Sequence, residues 1–136
     1  MTTALADIQT LFATDFPQSQ VSVMAVDGHT ARVKQVVNTA HLRPGNTVSG
    51  PTMMALADCA LYAAVLSAYG IIPLAVTTQL NINFFHKPPA GFDLVADCTL
   101  LKQGKRLAIG EVSIYSEGRP ELIAHATGTY AIPPKA

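Results

Sequence analysis

The segment that decides the fold runs from His41 to Leu66 and reads HLRPGNTVSGPTMMALADCALYAAVL. Its first part is dense in Gly, Pro, Asn and Ser, which is typical of a loop. Ser49 is a favoured N-cap residue, and Pro51 stands in the first turn, where proline is tolerated. A helix is therefore predicted over about residues 50–69, with Gly70 as its C-terminal cap. Apolar residues cover every face of this helix, which indicates a position in the core.

Asp58 is the only ionisable Asp, Glu, Lys, Arg or His between Gly50 and Gly70. Met54 and Leu61 lie one turn away on either side, so the carboxylate is expected in apolar surroundings. An ionised carboxylate there is costly unless it is paired, and perturbed carboxylates concentrate at active sites. We therefore predict a functional role for Asp58. The alternatives are a carboxylate that faces water through a gap, or a structural pair with a distant arginine.

The start of the helix is a second candidate feature, because its first backbone N–H groups have no partner within the helix. Gly50 has no side chain to block approach, so its N–H can stabilise the oxyanion that forms in acyl transfer. An ordinary helix cap is the commoner use of such a sequence. Gly50 and Asp58 are eight residues apart, which places them about 12 Å apart along the axis. Two antiparallel helices across a two-fold axis would bring Gly50 of one chain to Asp58 of the other.

The flanking sequence predicts one more helix and six strands. Residues 3–13 have helical spacing, and two alternating runs, 21–28 and 30–37, are joined at Asp27-Gly28, a strong hairpin signal. After the central helix, four further alternating runs predict antiparallel strands: residues 74–85, 92–102, 106–116 and 121–132. Several strands around one buried helix make an α+β fold, with the sheet wrapped around the helix. The length indicates a single domain over residues 1–136.

Composition excludes several classes of function. Charged residues make up 13% of the chain, about half the usual share, which suggests that surface is buried between subunits; a well-packed monomer is the alternative. Nine basic residues balance nine acidic ones, so no nucleic-acid partner is expected. We also expect no membrane span and no signal peptide. Cys59 and Cys98 are not spaced as a metal or redox pair, so a reduced, cytoplasmic setting without a bound metal is expected.

The central segment, followed by LAVTTQLNINFFHKPPAG (residues 74–91), resembles the hotdog-fold thioesterases of the phenylacetic-acid-degradation, or PaaI-like, group. The likeness continues through KQGKRLAIGEVSIYSEGRPELIAHATGTYAI (residues 102–132) and so covers nearly the whole chain from about residue 20. The family pattern is a loop, a His-Gly-Gly-like turn and an acidic residue nine positions after the His. Ser49-Gly50-Pro51 occupies the turn, and Asp58 stands at the acidic position.

The resemblance implies an acyl-CoA thioesterase that needs no metal or redox cofactor, with coenzyme A entering only as part of the substrate. Asp58 would act as general base or nucleophile, and Gly50 of the partner chain would polarise the thioester carbonyl. Thr77 matches a position that helps to place the water. Ser49 replaces the family His: it can cap the helix and donate a hydrogen bond, but it does not change charge near neutral pH. The resemblance also implies a homodimer, and usually a dimer of dimers.

Further residues are candidates for substrate binding. Arg43 replaces a frequent Asn of the family and is expected to pair with Asp58 of the neighbouring chain or to steer an anionic substrate. The acyl group needs an apolar pocket, for which Met54, Leu61 and Tyr62 are candidates; plain core filling is the alternative for each. The CoA phosphates need cations, and four basic residues at predicted strand ends and turns are candidates, with solvated turn residues as the alternative: Lys87, Lys102, Lys105 and Arg106.

Two other functions stay open. A hotdog hydratase or dehydratase needs a His paired with a carboxylate, but no Asp in this chain is followed five residues later by His. A non-catalytic acyl-CoA-binding protein would keep the fold and the pocket without turnover. The lone Asp58 argues against it, because an idle binder would gain stability from an apolar residue there. The sequence does not identify the acyl group.

Overall fold

The computed structural model describes residues 4–134 and contains two α-helices, α1 (Leu5–Asp15) and α2 (Gly50–Tyr69). Its eight strands, in chain order, are β1 (Val21–Val26), β2 (Thr30–Gln35), β3 (Leu42–Arg43), β4 (Thr47–Val48), β5 (Val76–Phe84), β6 (Leu94–Gln103), β7 (Leu107–Ser116) and β8 (Ala124–Ala131). The predicted central helix and the six predicted long strands are confirmed. Residue 3, the predicted first residue of α1, lies outside the described residues, and α1 ends two residues later than predicted.

Six strands form one antiparallel sheet in the order β1-β2-β6-β7-β8-β5. Helix α2 packs on one face of this sheet and contacts all six of its strands. The arrangement is the α+β hotdog architecture, an antiparallel sheet around a long central helix. The short strands β3 and β4 pair with each other and form the loop that leads into α2.

Caps fix both ends of α2. The Ser49 hydroxyl oxygen accepts a hydrogen bond from the Thr52 N–H at 3.3 Å, which satisfies one of the unpaired donors of the first turn. At the other end, Gly70 has a φ of 98° and donates its N–H to the Leu66 carbonyl at 2.9 Å. Only glycine adopts that backbone conformation without strain. These two signals explain why the helix boundaries could be predicted.

Helix α2 lies close to the sheet because two glycines face each other across strands β7 and β8. Gly110 pairs with Gly128 in the strand register, and Leu61 of the helix packs onto both. A Cβ on either glycine would lie 2.7 Å from a Leu61 methyl carbon, which is too close for any ordinary contact. By length and composition α2 could cross a membrane, but 67% of its most apolar window is buried in this fold.

The two edges of the sheet differ. Helix α1 packs along β1, and the Gln9 side-chain amide donates to the Val23 carbonyl at 2.9 Å. At the opposite edge, the nine-residue strand β5 has no neighbour on its outer side among the described residues. Apolar side chains on and beside β5 are exposed, with 56% of Val76, 48% of Phe84 and 53% of Phe85 accessible to solvent. A long free edge with exposed apolar residues is typical of a surface that another chain covers.

Candidate active site

Asp58 is half-buried in the middle of α2 and is held by two hydroxyl groups. The Thr77 hydroxyl donates to Asp58 Oδ1 at 2.5 Å, and the Tyr130 hydroxyl donates to the same oxygen at 3.1 Å. Among residues 4–134, no side chain or backbone group donates a hydrogen bond to Oδ2. The carboxylate is therefore oriented through one oxygen, and the other oxygen is available to a reactant.

The sheet supplies both hydroxyl donors because Thr77 and Tyr130 are register partners on β5 and β8. A β-bulge lies between Thr77 and Gln79, where the strand register shifts by one residue. The bulge allows Thr77 to face the helix together with Leu80 and Ile82, which lie on the inner face further along β5. Bulges of this kind often re-aim a side chain beside an active site.

Tyr130 is a site residue that the sequence did not identify. The alternation of β8 places Ala124, Ala126 and Gly128 on the inner face, and Tyr130 continues that series as its only hydroxyl-bearing member. Burial, with a contribution from the Asp58 carboxylate, raises the pKa of the Tyr130 phenol well above its usual value. The phenol therefore keeps its proton and remains a hydrogen-bond donor. A phenol among small inward-facing residues was the signal available in the sequence.

Cys59, next to Asp58 in the chain, has no role as a nucleophile in this geometry. Burial raises the pKa of its thiol to about 12, and the Asp58 charge adds to the effect. Nucleophilic cysteines need a stabilised thiolate in a positive environment, which is the opposite arrangement.

A cavity of about 340 Å³ opens beside Asp58. Its walls come from α1, α2, β5 and β8 and include Leu11, Asp15, Phe16, Tyr62, Thr77 and Tyr130. Tyr62 stacks on Tyr130 with 5.8 Å between ring centroids, and its hydroxyl donates to the Pro73 carbonyl at 3.2 Å. The predicted pocket residue Tyr62 is thus at the site, together with Leu11 of α1 and Phe16, which directly follows α1.

The other two predicted pocket residues lie elsewhere. Leu61 is fully buried and points at the sheet, where it fills the space above Gly110 and Gly128. Met54 is 39% exposed and does not line the Asp58 cavity. Both predictions assumed that a residue one helical turn from Asp58 shares its surroundings. The sheet covers the face of α2 that carries Leu61, so Leu61 belongs to the core.

The start of α2 opens into a second cavity, of about 450 Å³. Its lining includes Arg43, Gly50, Met53, Phe84 and Lys87. The Gly50 N–H has no hydrogen-bond partner among the described residues, since Ser49 caps the N–H of Thr52 instead. A Cβ at Gly50 would lie 3.4 Å from the Phe84 ring, an ordinary contact distance. Gly50 and Asp58 thus face different cavities of one protomer.

The four predicted phosphate-binding cations do not form one cluster within the protomer. Lys102 lies near the end of β6, and Lys105 and Arg106 lie in the turn from β6 to β7, whereas Lys87 follows β5. In the strand register the start of β7 pairs with the end of β8, and the end of β5 pairs with the start of β8. Lys87 and the other three cations are therefore at opposite ends of the sheet. None of those three lines the Gly50 cavity, where Lys87 lies with Arg43.

The histidines lie away from Asp58. His125 Nε2 is 2.9 Å from Glu111 Oε1, but this pair is on the outer face of the sheet. His41 Nδ1 accepts a hydrogen bond from the Asn38 N–H at 3.0 Å in a capping box. A hydratase would need a His–carboxylate pair inside the site, and the described part of the chain has none there. Nor do residues 4–134 contain a group of three His, Cys, Asp or Glu side chains that could hold a metal ion.

Comparisons with known proteins agree with this fold. The family model of the thioesterase superfamily matches residues 45–123. A candidate thioesterase from Silicibacter sp. TM1040 is 42% identical, with a TM-score of 0.85 over 93% of this chain and 90% of that one. A single-residue mutant of PaaI, a phenylacetic acid degradation protein from Thermus thermophilus, is 26% identical, with a TM-score of 0.76 over 88% and 98% of the two chains.

A Streptococcus mutans protein, solved with bound acetyl-CoA, shares the fold at 21% identity, with a TM-score of 0.76 over 85% and 90% of the two chains. No curated protein matches the chain. The family match spans more than half of the chain and includes both Gly50 and Asp58. The chain belongs to the thioesterase superfamily and is a PaaI-like member with the hotdog fold.

Proposed function

We propose that this protein is an acyl-CoA thioesterase in which Asp58 drives hydrolysis. The observation that carries the proposal is the carboxylate itself: two neutral hydroxyl groups fix Oδ1, Oδ2 has no donor among the described residues, and Asp58 lines a cavity with aromatic and aliphatic walls. Asp58 is half-buried and lines this cavity, so its second oxygen can meet a substrate or a water molecule there. A cavity of this size beside Asp58 has room for an acyl group.

The oxyanion donor comes from a second copy of the chain. Within one protomer Gly50 is about 12 Å along the helix from Asp58, too far for both to act on one carbonyl. Two protomers that pair through the free edge of β5 would extend the sheet and place their central helices antiparallel. The exposed Val76, Phe84 and Phe85 would become buried in that interface. Each dimer then has two identical sites, each with one protomer's Asp58 and its partner's Gly50.

Two chemical routes start from this arrangement. In the first, Asp58 Oδ2 accepts a proton from water as the water oxygen adds to the thioester carbonyl carbon; the tetrahedral intermediate then breaks its C–S bond and expels the CoA thiolate, which takes up the proton. In the second, Oδ2 itself attacks that carbon, expels the CoA thiolate and forms a mixed anhydride, which water then opens. In both routes the negative charge that develops on the carbonyl oxygen is stabilised by the Gly50 N–H and the positive end of α2. The products are a free acid and CoA, and no external oxidant or metal takes part.

Two observations support CoA as the thiol that carries the acyl group of the substrate. The Streptococcus mutans neighbour with the same fold binds acetyl-CoA. In this chain, Arg43 and Lys87 bring two positive charges to the Gly50 cavity, which suits a substrate that carries phosphates. We infer that the CoA arm enters past these residues, while the acyl group occupies the cavity of Tyr62 and Phe16.

The test is thiol release from a panel of acyl-CoAs by the wild-type protein and by Asp58→Asn, with and without EDTA. The amide keeps the size and the hydrogen-bond geometry of Oδ1 but cannot accept the proton or form the anhydride. We expect at least one acyl-CoA to be hydrolysed, kcat to fall about a thousandfold or more in the variant, and EDTA to have no effect. CoA binding should survive in Asp58→Asn. A wild-type protein that binds acyl-CoA and releases no thiol from any of them would instead be a binding protein.

A further inference from the structure

The cavity beside Asp58 contains a second carboxylate, which the proposed mechanism does not use. Asp15, the last residue of α1, lines this cavity. Among the described residues, no lysine, arginine or histidine is part of the lining. The cavity proposed for the acyl group therefore has two acids and no cation. The Gly50 cavity is the opposite, because basic side chains line it and, in the same part of the chain, no acid does.

Tyr62 connects the two acids of this cavity. It lies four residues after Asp58, about 6 Å further along α2, and its ring stacks on that of Tyr130, which holds the Asp58 carboxylate. From the side of α1, Phe16 meets the Tyr62 ring edge-on, with 6.3 Å between ring centroids. Burial raises the pKa of the Tyr62 phenol, and the charge of Asp15 adds to the effect. An acyl chain that starts at Asp58 and follows the Tyr62 ring therefore ends near Asp15.

The charge of Asp15 is not neutralised by the described part of the chain. Its side chain is exposed, and it forms no ion pair among residues 4–134. The last turn of α1 contains no basic residue. A carboxylate at the C-terminal end of a helix also meets the negative end of the helix dipole, so α1 gains no stability from this charge. Asp15 thus contributes an unpaired negative charge to the wall of the cavity.

We propose that Asp15 is a specificity-determining residue, which rejects acyl groups that end in a second carboxylate and admits acyl groups with an uncharged or positively charged end. The proposal rests on the function proposed above and goes beyond it, because it restricts the charge of the acyl group. Repulsion between like charges is the physical reason, and it is stronger beside the apolar wall of a cavity than in bulk water. Asp15 lies in α1, outside residues 45–123, which the family model matches.

The test uses three six-carbon acyl-CoAs that differ only at the far end of the acyl chain: hexanoyl-CoA, adipyl-CoA with a carboxylate, and 6-aminohexanoyl-CoA with an ammonium group. An extended chain of this kind spans roughly one helical turn, the separation of Asp58 and Tyr62 along α2. Asp15→Asn keeps the size of the side chain and removes its charge, so kcat/KM for adipyl-CoA relative to hexanoyl-CoA should rise about tenfold. Asp15→Lys should prefer adipyl-CoA and lose activity on 6-aminohexanoyl-CoA.

Asp7→Asn is the matched control. Asp7 is an exposed acid in the first turn of the same helix and does not line the cavity. Its replacement changes the net charge of the chain by the same amount as Asp15→Asn and should leave the adipyl-to-hexanoyl ratio at the wild-type value. The effect of Asp15→Asn should also shrink at high salt, because salt screens an exposed charge.

A binding measurement separates this selectivity from turnover. Ketone analogues of the three substrates, with a methylene group between sulfur and carbonyl, are not hydrolysed, and calorimetry gives their affinities for the same variants. Affinities that follow the expected pattern, without hydrolysis of any thioester, would keep the selectivity and end the thioesterase proposal. Hydrolysis with the same adipyl-to-hexanoyl ratio in the wild type and in Asp15→Asn would do the reverse. An equal change of that ratio in Asp7→Asn, or a wild-type protein that binds none of the three analogues, would overturn the role of Asp15.

Discussion

The two oxygens of Asp58 have different surroundings, and this difference leads to a prediction at the residue scale. Thr77→Val keeps the shape of the side chain and removes the donor to Oδ1. A hydrogen bond to a charged group contributes about 1.5–3 kcal/mol, so kcat should fall about ten- to hundredfold. Tyr130→Phe is the matched variant, because it keeps the ring that stacks on Tyr62 and removes only the O–H. If steady-state rates were unchanged in both variants, the two hydroxyl groups would have no part in orienting the carboxylate.

The cysteines give a second prediction at this scale. Burial raises the pKa values of Cys59 and Cys98 to about 12. Both thiols therefore keep their protons near neutral pH. At about pH 8 only about one molecule in ten thousand carries the thiolate that alkylating reagents attack. Native protein should therefore be labelled only after unfolding, and iodoacetamide should leave activity intact. Rapid labelling of the native protein with loss of activity would contradict the buried placement of the two thiols.

The sequence alone predicts some residues of the candidate active site and not others. Asp58 stands out as one charge in an apolar helix, and Gly50 follows from the cap that precedes it. The inward position of Tyr130 has a signal in the alternation of β8, but its contact with Asp58 could not be predicted, because that contact depends on the register of β5 against β8. The prediction that Leu61 lines the pocket is wrong, since helical spacing gives proximity to Asp58 but not the face that the sheet covers.

At the scale of elements, the approach of α2 to the sheet depends on the glycine pair under Leu61. Gly110→Ala would place a Cβ 2.7 Å from a Leu61 methyl carbon and 3.2 Å from the Thr99 carbonyl oxygen. Overpacking of this kind costs about 1–3 kcal/mol, which chemical denaturation would measure as a lower free energy of unfolding. In the double variant with Leu61→Ala, the added cost of Gly110→Ala should be smaller than in the wild-type background. Simple additivity would mean that Leu61 and Gly110 do not interact.

Elements with a signal in their own sequence could be predicted, whereas features that depend on pairing between strands far apart in the chain could not. Helix α2 has its own caps, and the long strands have their own alternation, so both can be predicted from the sequence. The bulge beside Thr77 has no local signal, because it is defined by the pairing of β5 with β8. Within one protomer Lys87 lies at the other end of the sheet from Lys102, Lys105 and Arg106, and a strand-end position in the sequence does not say which end of the sheet it occupies.

At the scale of the whole molecule, one protomer has two half-sites rather than one complete site. The Asp58 cavity and the Gly50 cavity share no lining residue. The account therefore requires a dimer that contributes one half-site from each chain to each reaction. The low charge content and the free apolar edge at β5 are consistent with that requirement.

The most direct test is complementation between two inactive variants. Asp58→Asn removes the carboxylate, and Gly50→Pro removes the backbone donor at a helix position that tolerates proline. Gly50→Ala is the control, because it keeps the N–H and adds a Cβ at an ordinary contact distance from Phe84. When the two inactive variants are unfolded together and refolded, half of the dimers should be mixed, and each mixed dimer has one intact site. The account predicts about a quarter of the wild-type rate, while no recovery in verified mixed dimers would contradict a site shared between partner chains.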